Sequence, residues 1–148
     1  MPEIVVNSPT AHDFDGVYAL LQQLWPGKDM DRDAINRVYL LSLETGQYHY
    51  RVARQGKDVI GFISWGIKNN LWAQGWLLHI DDLVIAEQWR GCRIGAMLME
   101  HARQYALDQG CRYLELDSGL QRVDAHRFYE KYGFCKRAYN FIFDVKTT

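Results

Sequence analysis

Three short stretches of this sequence hold residue types able to do chemistry. The first is Glu87-Gln88-Trp89-Arg90-Gly91-Cys92-Arg93-Ile94-Gly95-Ala96, where a β-type run feeds a glycine-containing turn that opens into a helical pattern. The first N–H groups of a helix lack intrahelical partners and carry partial positive charge. Such a turn suits an anion, and Arg90 and Arg93 would add charge-assisted contacts to phosphate. The P-loop and dinucleotide glycine patterns are both missing here, and an ordinary strand-to-helix turn with two solvated arginines explains the residues equally well. The second stretch is Leu78-His79-Ile80-Asp81-Asp82-Leu83-Val84-Ile85. Successive side chains of a strand face opposite sides of the sheet, so Asp81 or Asp82 must face a buried or cleft-lining side where its charge needs support. That carboxylate is a general base, an anchor for a cationic substrate, or a structural partner for a backbone amide. The third is Asp124-Ala125-His126-Arg127-Phe128-Tyr129-Glu130-Lys131-Tyr132-Gly133-Phe134, a small amphipathic helix stopped by glycine. Its aromatics suit core packing, yet a tyrosine hydroxyl such as that of Tyr129 needs a polar partner or a substrate.

The elements that must position these residues follow from periodicity. Glu3 to Val6 reads as a first strand. Phe14, Val17, Tyr18, Leu21, Leu24 and Trp25 form one helical stripe, with Asp13 as N-cap and Pro26-Gly27 as the stop. A second helix fits Arg32 to Leu43, ending near Thr45-Gly46. Tyr48 to Arg54 and Val59 to Ile67 read as a hairpin across Gln55-Gly56-Lys57-Asp58, after which Asn69-Asn70 opens a loop. Trp76 to Ile85 is a third long strand, Ile94 to Asp108 the strongest helix, and Gly110 its stop. Tyr113 to Asp117 is a strand, Ala125 to Tyr132 a short helix, and Cys135 to Val145 a final β segment. The order β-α-α-β-β-β-α-β-α-β implies an α/β fold without the strict alternation of a doubly wound sheet.

Composition bounds the function. At 148 residues the chain fits one compact domain, residues 1–148, and 48% apolar with 24% charged residues is a globular mixture. Seventeen Lys plus Arg against eighteen Asp plus Glu exclude a nucleic-acid binder that relies on bulk positive charge. The five Trp and nine Tyr are scattered through apolar periods, which favours core packing over base stacking. Cysteines at 92, 111 and 135 form neither a disulfide framework nor a metal knuckle, and read as reduced thiols of a cytoplasmic protein. The five histidines lack metal-ligand spacing, so no metal is expected. Met1 to Asn7 lacks the pattern of a signal peptide, and no apolar run has the length of a membrane span. Ser118 lacks a nucleophile elbow, and Cys92, though it opens a helix, reads as a bystander.

Taken together, a strand, Arg90-x-x-Arg93-x-Gly95, a helix, a strand, and Ala125-x-x-Phe128-Tyr129-x-x-x-Gly133-Phe134 resemble the GCN5-related N-acetyltransferases. Asp124 to Tyr129 after Leu116-Asp117-Ser118 is most similar to small bacterial members that acetylate free amines, such as aminoalkylphosphonate N-acetyltransferases. The resemblance implies a mixed, mostly antiparallel central sheet flanked by helices. It also implies acetyl-CoA as co-substrate and a small-molecule amine as acceptor, with a homodimer as the assembly and neither nucleic acid nor membrane as a partner. The pantetheine arm would run along Leu83, Val84 and Ile85, and the pyrophosphate would rest on Arg90, Gly91, Cys92, Arg93, Ile94, Gly95 and Ala96. Ser118, Arg122 and His126 would complete the cofactor contacts.

Transfer would proceed by direct attack of the amine, with Asp81 as base and Tyr129 as general acid. Asp82 and His79 are alternative bases and, with Trp25 and Tyr18, candidates for binding the substrate. Two positions depart from the family pattern. Arg93 replaces a glycine, which predicts a turn conformation that arginine adopts readily, and Arg122 stands where many relatives have Asn. Asp13, Asp15, Asp29, Asp31 and Asp33 against Lys28 and Arg32 give residues 11–33 a local charge of −3. In the family this region walls the acceptor site, so the charge would favour a cationic amine over one bearing phosphonate. Helix caps and a solvated face explain the same carboxylates. A protein N-terminal or lysine acetyltransferase and a non-catalytic CoA-binding module are the competing functions.

Overall fold

A computed structural model describes residues 3–146. Met1, Pro2, Thr147 and Thr148, which belong to the expected 1–148 domain and, at the start, to the signal-peptide reading, lie outside the described residues. In chain order the elements are β1 (Ile4–Asn7), α1 (Phe14–Leu24), α2 (Arg32–Thr45), β2 (His49–Gln55), β3 (Asp58–Asn70), β4 (Gly75–Ile85), α3 (Ile94–Asp108), β5 (Tyr113–Leu116) and α4 (Val123–Tyr132). Short 3-10 turns lie at Ala11–Asp13 and Glu87–Trp89. The chain divides into a unit Met1–Leu116, which holds the sheet and the first three helices, and a unit Asp117–Thr148, which holds α4.

In the first unit the strands lie in the order β1-β2-β3-β4-β5. Every neighbouring pair from β1 to β4 is antiparallel, while β4 and β5 are parallel. The sheet is therefore mixed and mostly antiparallel, as expected. Gln55 pairs with Asp58, leaving Gly56 and Lys57 as a two-residue hairpin loop with Gly56 at φ 59°. Asn69 and Asn70 are the last residues of β3, paired with Trp76 and Gly75, and the loop expected there starts one residue later. The Asn70 side chain accepts the Ala73 N–H at 3.0 Å and so begins the turn 71–74.

One face of the sheet carries α3. Its buried residues Ile94, Leu98, Met99, Ala102 and Ala106 recur at helical spacing. Close approach is possible because β3 has Gly61 beneath it, where a Cβ would stand 3.1 Å from both Ile94 and Leu98. The other face carries α1 and α2. Phe14, Tyr39, Tyr50 and Phe62 form a continuous ring-to-ring series there, with centroids 5.3–5.4 Å apart.

Asp31 caps α2 as expected, accepting from the Ala34 N–H at 3.0 Å. Asp13 does not cap α1. Its carboxylate accepts the Thr10 N–H at 2.7 Å and takes both terminal nitrogens of Arg54, at 2.6 and 2.7 Å. The Arg54 guanidinium, against the opposing effect of burial, lowers the Asp13 pKa from 3.8 to about 2. A carboxyl depressed in the folded state contributes stability above its unfolded pKa and loses it as pH falls through the folded value. Asp13→Asn is therefore expected to destabilise the protein by about 2 kcal/mol near neutral pH. The gap from wild type should close as pH drops from 3.8 toward 2. Urea unfolding of both proteins across that range checks it.

In the second unit α4 starts at Val123 and stops at Gly133, which takes φ 123°. Phe128, Tyr129, Tyr132 and Phe134 pack ring against ring around it. The expected final β segment, Cys135 to Val145, does not form: residues 134–144 have no regular structure and Val145 lies in a turn. Strand-type residues are stabilised by a pairing edge and a face to cover. This run has neither among the described residues, and Phe141 and Ile142 are 92% and 94% exposed.

No helix among the described residues is long and apolar enough to cross a membrane.

Candidate functional site

The two adjacent aspartates owe their placement to an irregularity in β4. Ser64 pairs with Asp82 and Trp65 with Ile80, so Asp81 is the extra residue of a β-bulge. A bulge re-aims side chains that strict alternation would send to opposite faces. Asp82 lies in register with Ser64 of β3 and accepts its hydroxyl hydrogen at 2.6 Å. Burial, with the neighbouring Asp81 charge, raises the Asp82 pKa against the opposing effect of that hydrogen bond. Ser64 in turn pairs with Tyr50 of β2, whose phenol is also pushed up by burial. Asp82 is thus supported by a side-chain hydroxyl, while the Asp81 side chain is 41% exposed.

His79 lies beside them. Its Nδ1 is 2.6 Å from Glu115 Oε2 on β5, and its Nε2 is 3.8 Å from Asp81 Oδ1. Lys68 of β3 brings Nζ to 3.4 Å from the same Glu115 oxygen. Burial alone would raise the Glu115 pKa, but the His79 hydrogen bond and the Lys68 charge hold it below the usual range. Ser64, Tyr50, Lys68 and Glu115 are absent from the sequence-derived site. Ser64 and Glu115 carry a usable signal, since each is a polar residue set inside an apolar strand.

Beyond this cluster β4 has no strand partner on its β5 side among the described residues. Pairing with β5 ends at Ile80 and Leu116, yet β4 continues to Ile85. The Ala86 N–H donates to Ile60 of β3 at 2.8 Å. By strand alternation the N–H groups of Leu83 and Ile85 therefore point away from β3. Val84, between them, is buried. These outward groups suit an extended, amide-bearing ligand.

The chain then turns into α3. Arg90, Gly91, Cys92 and Arg93 are exposed, and Ile94 anchors the helix start in the core. No side chain caps α3, and its first intrahelical bond runs from the Met97 N–H to the Arg93 carbonyl. The N–H groups of Ile94, Gly95 and Ala96 thus have no intrahelical partners. One expectation fails here. Arg93 adopts left-handed geometry, φ 64° and ψ 15°, so this position does require the conformation that a glycine provides. The surrounding turn and the Ile94 anchor hold it there. Arg93→Gly is expected to add about 1 kcal/mol of stability by removing that cost, while weakening the binding of a phosphate-bearing ligand. Thermal unfolding and a binding titration should move in opposite directions.

In the second unit Tyr129 is 8% exposed. Burial raises its pKa, against the opposing effect of the Arg122 side chain, so the phenol keeps its proton at neutral pH. Ser118 Oγ is buried with no hydrogen-bond partner among the described residues. His126 Nε2 is 2.9 Å from the Gly119 carbonyl, so this nitrogen already has a backbone partner.

The acidic stretch 11–33 does not form a free anionic wall. Asp13 is held by Arg54, Asp15 pairs with Arg32, and Asp31 caps α2. Arg32 also lies over the rings of Phe14 and Tyr18, 5.0 and 5.6 Å from their centroids, which occupies one face of Tyr18. Trp25 ends α1 and is half-buried. Among the described residues no group of three or more His, Cys, Asp or Glu could hold a metal ion.

The profile of the Acetyltransferase (GNAT) family matches residues 14–134. The chain belongs to the GNAT acetyltransferase family. It is 32% identical over 141 residues to the aminoalkylphosphonate N-acetyltransferase of Salmonella typhimurium, covering 95% of this chain and 91% of that protein. It is 30% identical over 81 residues to the thialysine N-epsilon-acetyltransferase of Bos taurus, covering 49% and 47% of the two chains. Among solved structures, an aminoglycoside N-acetyltransferase in complex with CoA superposes with a TM-score of 0.86 at 15% identity, covering 99% and 97% of the chains. A transcriptional regulator from Bacillus halodurans gives 0.87 at 23% identity, with 96% and 99% covered. The structural likenesses establish the fold. As a GNAT enzyme, this protein is an acetyl-CoA-dependent N-acetyltransferase.

Proposed function

We propose that this GNAT enzyme acetylates a primary amine of a small molecule by direct attack, working in the cytoplasm. The bulge at Asp81 carries the proposal: it sets an exposed carboxylate and a half-buried one beside the unpaired edge of β4. Acetyl-CoA supplies the electrophilic thioester and a thiol leaving group. Leu83, Val84 and Ile85 would hold its amide-bearing arm, and the turn from Arg90 to Ala96 its phosphates. Ser118, whose buried hydroxyl has no partner among the described residues, would complete the cofactor contacts with Arg122 and His126.

An alkylamine with a pKa of about 10.4 is uncharged in only roughly one molecule in two thousand at pH 7. A base is needed. Asp81 takes the ammonium proton, directly or through water, while Asp82 contributes negative potential that favours a cationic acceptor. Tyr129 holds a proton at Oη for the departing thiolate, since burial keeps the phenol protonated. Trp25 and Tyr18 would flank the acceptor.

Within this class an aminoalkylphosphonate acceptor has specific support. The 32% identical relative bears that substrate in its name, and Arg54 offsets one of the five carboxylates that would repel it. A panel of alkylamines, polyamines, aminoglycosides, aminoalkylphosphonates and a lysine peptide, scored by thiol release from acetyl-CoA, tests the proposal. Fastest turnover with a free small amine supports it. Preference for the peptide would indicate a protein acetyltransferase, and tight CoA binding without any turnover a non-catalytic module.

A further inference from the structure

We infer that Arg51, with His49 and His101 beside it, takes a small oxyanion, a phosphate or a carboxylate, on the face of the sheet that carries α3. This face is opposite the one that holds Ser64 and Asp82. Trp65 follows Ser64 in β3, and its ring centroid lies 5.6 Å from that of Tyr105 on α3. Trp65 is fully buried and serves as a platform. The Arg51 guanidinium stands over its ring, 5.1 Å from the centroid, and Arg51 Nη1 donates to the Tyr50 carbonyl at 2.8 Å. Two anchors therefore fix the guanidinium, while the N–H groups on Nε and Nη2 have no partner among the described residues.

A counter-ion is what the cluster lacks. The two arginines of β2 are both half-buried, yet Arg54 holds the Asp13 carboxylate and Arg51 has no carboxylate partner among the described residues. Burial lowers the Arg51 pKa, but a guanidinium keeps its charge. The groups facing it bring donors and aromatic surface. His49 stacks on Trp65 with centroids 6.2 Å apart, and its Nε2 is 2.9 Å from Tyr105 Oη. Burial, and after it the Arg51 charge, lowers the pKa of both His49 and His101, so the three groups lie within electrostatic reach of one another. Glu100, the acidic neighbour of His101, pairs with Arg103. Trp65 Nε1 is buried without an acceptor among the described residues. The cluster is thus rich in donors and poor in negative charge. A half-buried charge without a partner is costly, and an oxyanion brings charge and acceptor oxygens together, two of them matching the guanidinium fork.

Inorganic phosphate and acetate, titrated separately into the full chain, test the site. The readout is the Trp65 indole N–H signal in proton–nitrogen correlation spectra, assigned by its loss in Trp65→Phe. At least one of the two ions should shift that signal saturably, and the one that binds more tightly distinguishes phosphate from carboxylate as the ligand class. Arg51→Gln should weaken the binding by about tenfold or more. Arg51→Lys, which keeps the charge without the fork, should weaken it by less. Arg90→Gln, on the turn before α3, should leave this signal's response unchanged, which separates the site from the one proposed for acetyl-CoA. A response no larger than sodium chloride gives at equal ionic strength would overturn the proposal, and wild type alone suffices for that comparison if Arg51→Gln does not fold. So would a full response in folded Arg51→Gln, or a response lost in Arg90→Gln.

Discussion

Tyr129→Phe is expected to lower kcat by about 10²-fold or more, with the KM for acetyl-CoA changing little. The expectation follows from what the substitution removes. A phenylalanine fills the same volume among Phe128 and Phe134, so the aromatic packing around α4 stays. The lost atom is the hydroxyl oxygen, the one part of the residue able to carry a proton. Because burial raises the Tyr129 pKa, that proton is present throughout the neutral range. An interaction made only as the thiol departs lowers kcat and kcat/KM together and leaves ground-state binding alone. If Tyr129 served only as core, the variant would show altered unfolding with near wild-type kcat. That outcome removes it from the mechanism.

The second large effect belongs to the aspartate pair. Asp81→Asn should reduce kcat by about 10²-fold near neutral pH, and raising the pH should recover part of the loss by supplying more free amine. Amide for carboxylate preserves size and strand geometry while abolishing the base. Asp82→Asn distinguishes the two positions. Its carboxylate is held by Ser64, so its loss should raise the KM for a cationic acceptor more than it lowers kcat. A larger kcat defect in Asp82→Asn than in Asp81→Asn would transfer the role of base to Asp82. Steady-state kinetics on both variants, with acceptor and pH varied, resolves the question.

Much of this architecture is legible in local pattern. The helix Ile94–Asp108 lies on the residues whose periodicity predicts it, because its buried stripe and flanking glycine agree with the tertiary packing. The hairpin at Gly56 is legible for the same reason. Long-range facts are not. The bulge at Asp81 depends on the register between β3 and β4, which no single strand's sequence carries. The fate of the acidic stretch depends on Arg54 and Arg32, and Arg54 lies 41 residues from Asp13. Glu115 gains its meaning only when β5 places it against His79. Cys135 to Val145 shows the opposite failure, a strand-like composition without a strand, since pairing is a property of two segments. Arg93 stands between these cases. The position in the motif marks a glycine site, yet only the backbone shows that the left-handed conformation persists with arginine in it.

Direct transfer is tested most simply by a single turnover with acetyl-CoA and an accepted small amine, followed by mass spectrometry of both amine and protein. Attack by the amine on the thioester predicts one acetylated amine for each CoA released and an unmodified protein at every time point. Cys92, exposed at the start of α3, is the thiol to watch. An acetylated protein that forms before product, or CoA release without acetylated amine, would contradict direct transfer.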